Sequence, residues 1–381
     1  MIQILVVGGK LQGIEVTYLA KKAGYHVTVA DKRKHAPAFG IADRVEVIDI
    51  LKEEERFTRL FQEADVVIPA MEKKAVLEKL SCFGERFHIP VIFDPKAYEI
   101  SSSKKKSNEL FEKLDLPMPG RYGENAFPVI IKPDGLSGSV GVKKAKSKEE
   151  AEEILKEMGE NAVVQEFLEG RSFSLEVIGD GNQFYFPQIT EVVIDKGYDC
   201  KRIIAPASLS KKQEKQFYHM AEKLAKALKI RGIFDIEVIC HNGVLKILEI
   251  DARFPSQTPI SVYQSSGINM IQLLVELTLK KSARAEKKKE EVCYYQQISV
   301  EPDRILVKGE HILTDCKELY VKEHFFGAKE GITDYKKGAK AFKAILIVTA
   351  KTEKEARKEF LNCIDNINES LGNRQLKLIE G

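Results

Sequence analysis

Over the first hundred residues, short apolar runs alternate with stretches whose apolar positions recur at helical spacing. IQILVVG, HVTVAD, VEVIDI, DVVIPA and PVIFD have the length and β-branched content of buried strands. LQGIEVTYLAKKAG, FTRLFQEA and KAVLEKLSCFG carry the amphipathic helical period between them. Strand and helix in repeated order predict a parallel sheet covered by helices, ending near Ile100.

A serine and lysine cluster, SSSKKKS at 101–107, marks a boundary and opens a helix, NELFEKLDL, that stops at Pro117 and Pro119. From Phe127 to about Lys280 the pattern is mixed. PVIIKP, AVVQEFL, FSLEVIG, QFYFPQI, GIFDIEVI and VLKILEID read as strands, and EEAEEILKEM and KQEKQFYHMAEKLAKAL as helices. This predicts an α+β unit of mostly antiparallel strands. The charged stretch ARAEKKKEE at 283–291 reads as a second linker or a solvated helix end. Beyond it, VCYYQQISV, AILIVTA and a helix over 352–371 suggest a small α+β module. The expected domains are therefore 1–100, 101–282 and 283–381.

Composition narrows the class. The 381 residues, 44% of them hydrophobic, suffice for two or three cores. Sixty basic against fifty-seven acidic side chains leave a net charge of +3, which gives no bulk attraction to nucleic acid or an anionic membrane. Any acidic ligand must be met locally. The six cysteines form no CxxC pair, so neither a zinc knuckle nor a disulfide framework is suggested. The start lacks the features of a signal peptide and no run is long enough to span a bilayer, so a cytoplasmic protein is expected.

Two glycine clusters and one carboxylate cluster carry candidate chemistry. GGKLQG at 8–13 joins a strand to a helix, where a phosphate or carboxylate can sit. Asp31 ends the next strand, as a ribose-binding acid would. Lys10, however, stands where the middle glycine of a dinucleotide fingerprint belongs. KPDGLSGSVGV at 132–142 is either a phosphate cradle or a flexible connection. Further on, FDIEVI and LKILEIDAR flank Asn242-Gly243, a strong hairpin signal. The period of two puts Glu249 and Asp251 on one face, with Glu237 across from them. That much charge on a sheet needs a cation, and hard oxygen ligands suit Mg²⁺. Separate ion pairs with lysines are the plainer alternative. With Lys132 as a point charge, the loop as N–H donors and the carboxylates as metal ligands, the three features describe an ATP site.

In this order the motifs resemble the ATP-grasp superfamily of carboxylate–amine ligases: Lys104 ahead of a helix, Lys132 in a strand ending in KP, the loop from Gly135 to Gly141, QEFLEG at 165–170, Glu237, and EIDAR at 249–253. The resemblance implies an ATP-grasp fold preceded by a Rossmann-like parallel α/β domain. It implies ATP contacts from Lys104, Lys132, Ser137, Gly138, Ser139, Gln165, Glu166, Phe167 and Leu168. Ser172, standing where many members have a second ribose-binding Glu, is counted with these ATP contacts. Glu237, Glu249 and Asp251 would hold two or more Mg²⁺ ions, and Arg253 would act on the acyl phosphate or a substrate carboxylate. Asp251 replaces the commoner Asn.

More narrowly, VVGGKLQGIEVTYLAKKAG, SSSKKKSNELF, GIFDIEVI and LEIDARFPSQTPISVYQSSGINM look like the ligases of pyrrolysine biosynthesis. That resemblance implies joining the carboxylate of 3-methylornithine to the ε-amine of L-lysine through an acyl phosphate, releasing ADP and phosphate. No nucleic-acid or membrane partner is implied. Asp235, sharing the face of Glu237, is a candidate to bind that amine or take its proton. Glu72, at a strand-to-helix turn, is a candidate for a substrate amine; Leu11 and Gln12 could line the same site. Ser256, Gln257, Thr258, Ser261 and Tyr263 offer polar groups and an aromatic face for an amino-acid head group. The rivals are another amino-acid ligase of this superfamily, an NAD-dependent dehydrogenase built on GGKLQG and Asp31, and a non-catalytic amino-acid sensor. Replacing Lys132 with alanine should weaken ATP binding roughly 10- to 100-fold, the loss of one charged hydrogen bond. Isothermal titration with ATP checks this, and unchanged affinity would remove Lys132 from the site.

Overall fold

The computed structural model describes residues 1–120, 127–135, 141–280, 283–372 and 376–380. Near the start, strands Gln3–Val7, His26–Asp31, Arg44–Val47 and Val66–Pro69 form a parallel sheet in the order third, second, first, fourth. PVIFD does not extend it as a full strand. It makes a single parallel bridge, Val91 to Val67, because Asp94 caps the next helix, Pro95–Ser101, at once.

The helix Leu11–Lys22 departs from the amphipathic expectation: every residue from Gly13 to Ala20 is buried. It lies between the parallel sheet and two later helices, Thr258–Ser266 and Met270–Thr278, so no face is left for water. Two of its buried polar side chains, Glu15 and Tyr18, find partners far away in sequence. The Glu15 carboxylate accepts from the Ile260 N–H at 2.8 Å and the Tyr295 hydroxyl at 3.0 Å. Burial nonetheless pushes the Glu15 carboxyl up to about 8. Tyr18 donates to Glu330 at 2.6 Å and accepts from the Gln264 amide at 2.5 Å. One helix thus ties the N-terminal sheet to residues from both later parts of the chain.

Those later parts share one sheet of twelve strands. Its main path runs Val244–Asp251, Arg231–His241, Arg171–Asp180, Thr190–Ile194, Cys200–Ala205, Val292–Val300, Phe342–Ala350, Glu330–Thr333, Tyr320–Glu323. Backbone hydrogen bonding is continuous across the charged 283–291 stretch, because Cys200–Ala205 pairs antiparallel with Val292–Val300. The expected hairpin forms with Asn242 at φ 50° and Gly243 at φ 81°, the left-handed pair a two-residue turn requires. A separate small sheet orders Lys143–Ala145, Val129–Pro133 and Ala162–Glu166, with the helix Lys148–Met158 against it. The cleft between the two sheets receives the functional candidates.

All six cysteines are free thiols. Among the described residues, no helix is long and apolar enough to cross a membrane. Tyr18→Phe should destabilise the protein by about 1–3 kcal/mol, because Glu330 and Gln264 lose their buried partner. Chemical unfolding measures this, and an unchanged midpoint would show that the Tyr18 hydroxyl does not hold the helix in place.

Candidate active site

Register builds the centre of the site. Asp235 sits opposite Asp251 and Glu237 opposite Glu249, so four carboxylates occupy one face of two antiparallel strands. The ladder then slips: Val238 pairs with Ile247, which leaves Leu248 as an extra residue. This bulge turns Leu248 into the cleft beside Glu249, a re-aiming that bulges commonly provide near sites. On the other side of Asp235, Glu176 of the Arg171–Asp180 strand continues the acidic row. It is fully buried, and burial pushes it up to about 7.

Cations surround this row. Arg253 approaches Asp251 at 3.0 Å and Glu72 at 2.6 Å, and Glu72 also accepts from the Gln12 amide at 2.9 Å. The N-terminal unit therefore reaches the carboxylates through Gln12, Glu72 and Arg253. Lys104, first residue of the helix Lys104–Lys113, lies 3.9 Å from Glu249. Loss of solvent pulls the Lys132 ammonium down, against the pull of Glu249. It pushes Glu237 up to about 8, with Glu249 adding to the effect. Asp251 rises to about 7 for the same reason, against Arg253. Asp235 rises as well, through burial and then Asp251, and its Oδ1 has no hydrogen-bond partner.

Two pockets meet at Glu237 and Glu249. The first, about 140 Å³, is lined by Lys104, Lys132, Gln165, Glu166, Phe167, Leu168 and Ser172. It therefore gathers seven of the expected ATP contacts, while Ser137, Gly138 and Ser139 lie outside the described residues. The Glu166 carboxylate is committed to the Gly120 N–H at 3.0 Å and Lys246 at 2.9 Å, which leaves its backbone for the pocket. Lys144 stands 3.5 Å from the Phe167 ring centre. Ile130, Val142, Ile239 and the bulge residue Leu248 supply apolar walls that the sequence reading had not named. Strand alternation could have found Ile130 and Ile239; nothing local announces the bulge.

The second pocket, about 100 Å³, holds Asp235, Asp251, Arg253, Ser256, Gln257 and Thr258 as expected. It also holds Asp199 and Glu310, both missed. Glu310 comes from the C-terminal region and meets the site only through tertiary contact. Burial raises its carboxyl, opposed by hydrogen bonds from Ser256 and Gln257. Asp199 and Asp195 hold this segment in place, accepting from the His311 and Gly309 N–H groups at 3.1 Å. Ser261 and Tyr263 do not reach the pocket. The run after Arg253 folds as the helix Thr258–Ser266, in which the buried Ser261 hydroxyl donates to the Gln257 carbonyl at 2.8 Å and Tyr263 faces Tyr18. Leu11 borders a smaller cavity behind Ser256, Gln257 and Glu310.

The GGKLQG turn is accounted for by packing. A Cβ on Gly8 would meet the Ala70 carbonyl oxygen at 2.4 Å, and one on Gly13 the Gly8 oxygen at 2.3 Å. Asp31 is occupied by the Gly9 N–H at 2.8 Å and by Arg33. Neither half of a dinucleotide site stands ready, which disfavours the dehydrogenase reading.

Comparison with known proteins agrees with this geometry. Residues 101–257 match the model of the ATP-grasp domain, and residues 4–92 that of the PylC-like N-terminal domain. The 3-methyl-D-ornithine–L-lysine ligase of Methanosarcina mazei is 38% identical over 313 residues, 82% of each chain. The chain belongs to this ligase family. The Methanosarcina barkeri ligase is 40% identical over 271 residues, 71% of this chain and 72% of that one. Among solved structures, an L-amino acid ligase from Bacillus licheniformis superposes with TM-score 0.69 at 17% identity, covering 96% of this chain and 98% of that one. The fold of this ligase is thus ATP-grasp with a preceding parallel α/β unit.

The donor set of the ligase fits a hard cation. Glu237, Glu249 and Asp251 offer carboxylate oxygens, and lost solvation has made Glu237 and Asp251 reluctant to ionise alone. Among the described residues, no three acidic, histidine or cysteine side chains already form a cage; Mg²⁺ commonly completes its shell with water and phosphate oxygens. A pH dependence follows. The unfolded chain releases these protons near about pH 4, whereas the folded protein keeps them to about 7 on Asp251 and about 8 on Glu237. Between those limits the native state binds more protons, so its stability falls as pH rises. In metal-free buffer the melting temperature should fall between about pH 4 and 8, and Glu237→Gln should flatten that fall. Identical profiles for parent and variant would show that Glu237 ionises normally.

Proposed function

We propose that this ligase condenses the carboxylate of 3-methyl-D-ornithine with the ε-amine of L-lysine, using ATP. The reading is carried by the second pocket, which sets Asp199, Asp235, Asp251 and Glu310 around a single guanidinium, Arg253. A diamino acid carries two ammonium groups and one carboxylate, the complement of such a lining. The names of the relatives support the same substrates.

In this reading ATP occupies the first pocket, its base against Phe167, Leu168 and Ile239 and its phosphates beside Lys104 and Lys132. Two or more magnesium ions on Glu237, Glu249 and Asp251 would neutralise phosphate charge as the γ-phosphoryl group passes to the substrate carboxylate. The shared wall at Glu237 and Glu249 puts the phosphates next to the amino-acid pocket, so positioning does most of the work. Arg253 holds the carboxylate or the acyl phosphate, kept in place by Asp251 and Glu72. The lysine ε-amine, protonated in water with a pKa of about 10.4, must lose a proton before it attacks the acyl carbon. Asp235, ionised once the substrate ammonium stands beside it, takes it: its Oδ1 is buried without a partner and its affinity for protons is raised. Phosphate leaves as the amide forms.

Mass spectrometry after incubation with ATP, 3-methyl-D-ornithine and L-lysine tests the reading. The expected product is the two amino acids joined with loss of water, with one ADP and one phosphate per amide. Hydrolysis of ATP without that product, or an amide formed equally well from unrelated amino acids, would overturn it. Asp235→Asn should lower kcat by about 10²-fold or more with little change in KM for ATP. Unchanged turnover would remove Asp235 as the base.

A further inference from the structure

A backbone conformation that few non-glycine residues adopt stands in the wall of the second pocket. Gln257 has φ 71° and ψ −48°, and the Thr258 N–H donates to the Ser256 carbonyl across it at 2.8 Å. This is a γ-turn of the rare, strained hand. Strain of this kind persists only where the surroundings over-determine it, and it concentrates at ligand sites.

The surroundings come from both ends of the chain. From the N-terminal helix, Glu15 accepts the Ile260 N–H at 2.8 Å, just past the turn. From the strand Val292–Val300, the fully buried Gln297 donates its side-chain N–H to the Gln257 side-chain carbonyl at 2.7 Å. With that carbonyl taken, the NH₂ group of Gln257 is the end left for Glu310, which lines the same two cavities as Gln257. The Glu310 Oε2 is buried without a hydrogen-bond partner. The hydrogen bond from Gln297 therefore fixes which end of the Gln257 amide is presented to Glu310.

We propose that Gln297 is a positioning residue: by holding the Gln257 carbonyl it aims the Gln257 amide at Glu310 and keeps the Glu310 carboxylate set toward the substrate ammonium. The inference rests on the second pocket being the amino-acid site. Gln297 touches no substrate. It acts on one amino acid's affinity through two intermediaries, and the nucleotide pocket lies outside its reach.

Steady-state kinetics on Gln297→Met, Glu310→Gln, their double variant and Gln257→Gly test this. Methionine keeps the length of glutamine and removes the donor. Gln297→Met should raise KM for one of the two amino acids roughly tenfold, the cost of misdirecting one hydrogen bond to a charged group. KM for ATP should not move. Because Gln297 works through Glu310, the double variant should be no worse than Glu310→Gln alone, whereas a merely structural role would add. Gln257→Gly guards against misfolding: glycine takes this backbone conformation freely, so the melting temperature should hold while the same KM rises. If Glu310→Gln leaves both amino-acid KM values unchanged, the pocket reading falls and this proposal with it. If Glu310→Gln raises one but Gln297→Met and Gln257→Gly do not, the pocket reading stands and the positioning role is overturned. Additive effects in the double variant overturn it as well.

Discussion

Four carboxylates on one face of two adjacent strands repel one another, and the less water around them the stronger that repulsion becomes. Asp235, Glu237 and Asp251 respond by holding protons above the ordinary carboxylate range. The protein's own cations relieve only part of the charge. Arg253 is divided between Asp251 and Glu72, and Lys104 stands at 3.9 Å from Glu249. The remainder is chemical capacity: a face that favours magnesium with phosphates on one side and ammonium groups on the other. Binding and catalysis then draw on the same imbalance, because each cation that arrives is worth more in this cleft than in water.

That imbalance demands rigid support, and the fold supplies it by burying a helix on every side. Leu11–Lys22 is held by the parallel sheet, by two helices that follow the Arg253 segment, and by Tyr295 and Glu330 of the large sheet. Gln12 of the same helix meets Glu72, the partner of Arg253. Stabilising the interface between the units and placing the arginine are therefore one structural task. The continuous sheet has a parallel consequence: the C-terminal region is hydrogen-bonded into the same sheet as the carboxylate-bearing strands, and it delivers Glu310 to the amino-acid pocket.

Much of this was legible before any coordinates. The alternating β and α patterns of the first hundred residues, the Asn242-Gly243 hairpin and the same-face carboxylates all depend on neighbours within a few positions. So did the lysines and the QEFL segment, which the first pocket gathers. The misreadings have a common origin. PVIFD has strand composition but is cut short by a helix cap. The run from Ser256 to Tyr263 looked like a row of head-group contacts, yet a helix turns Ser261 and Tyr263 away from the pocket. Leu248 enters the cleft through a bulge that no local signal marks.

By itself, then, the sequence determined the elements, the order of the chemical motifs and the family they belong to, because period, turn chemistry and motif spacing are properties of adjacent residues. Tertiary structure alone decided which distant groups share the cleft. Glu310, Asp199, Glu176 and Gln297 carry no motif; they matter because sheet register and helix docking bring them to a turn or a carboxylate far away along the chain. The side of the helix Leu11–Lys22 that looked solvent-facing is buried for the same reason. Long-range closure sets solvation, and solvation sets the charge and the proton affinity that make this face reactive.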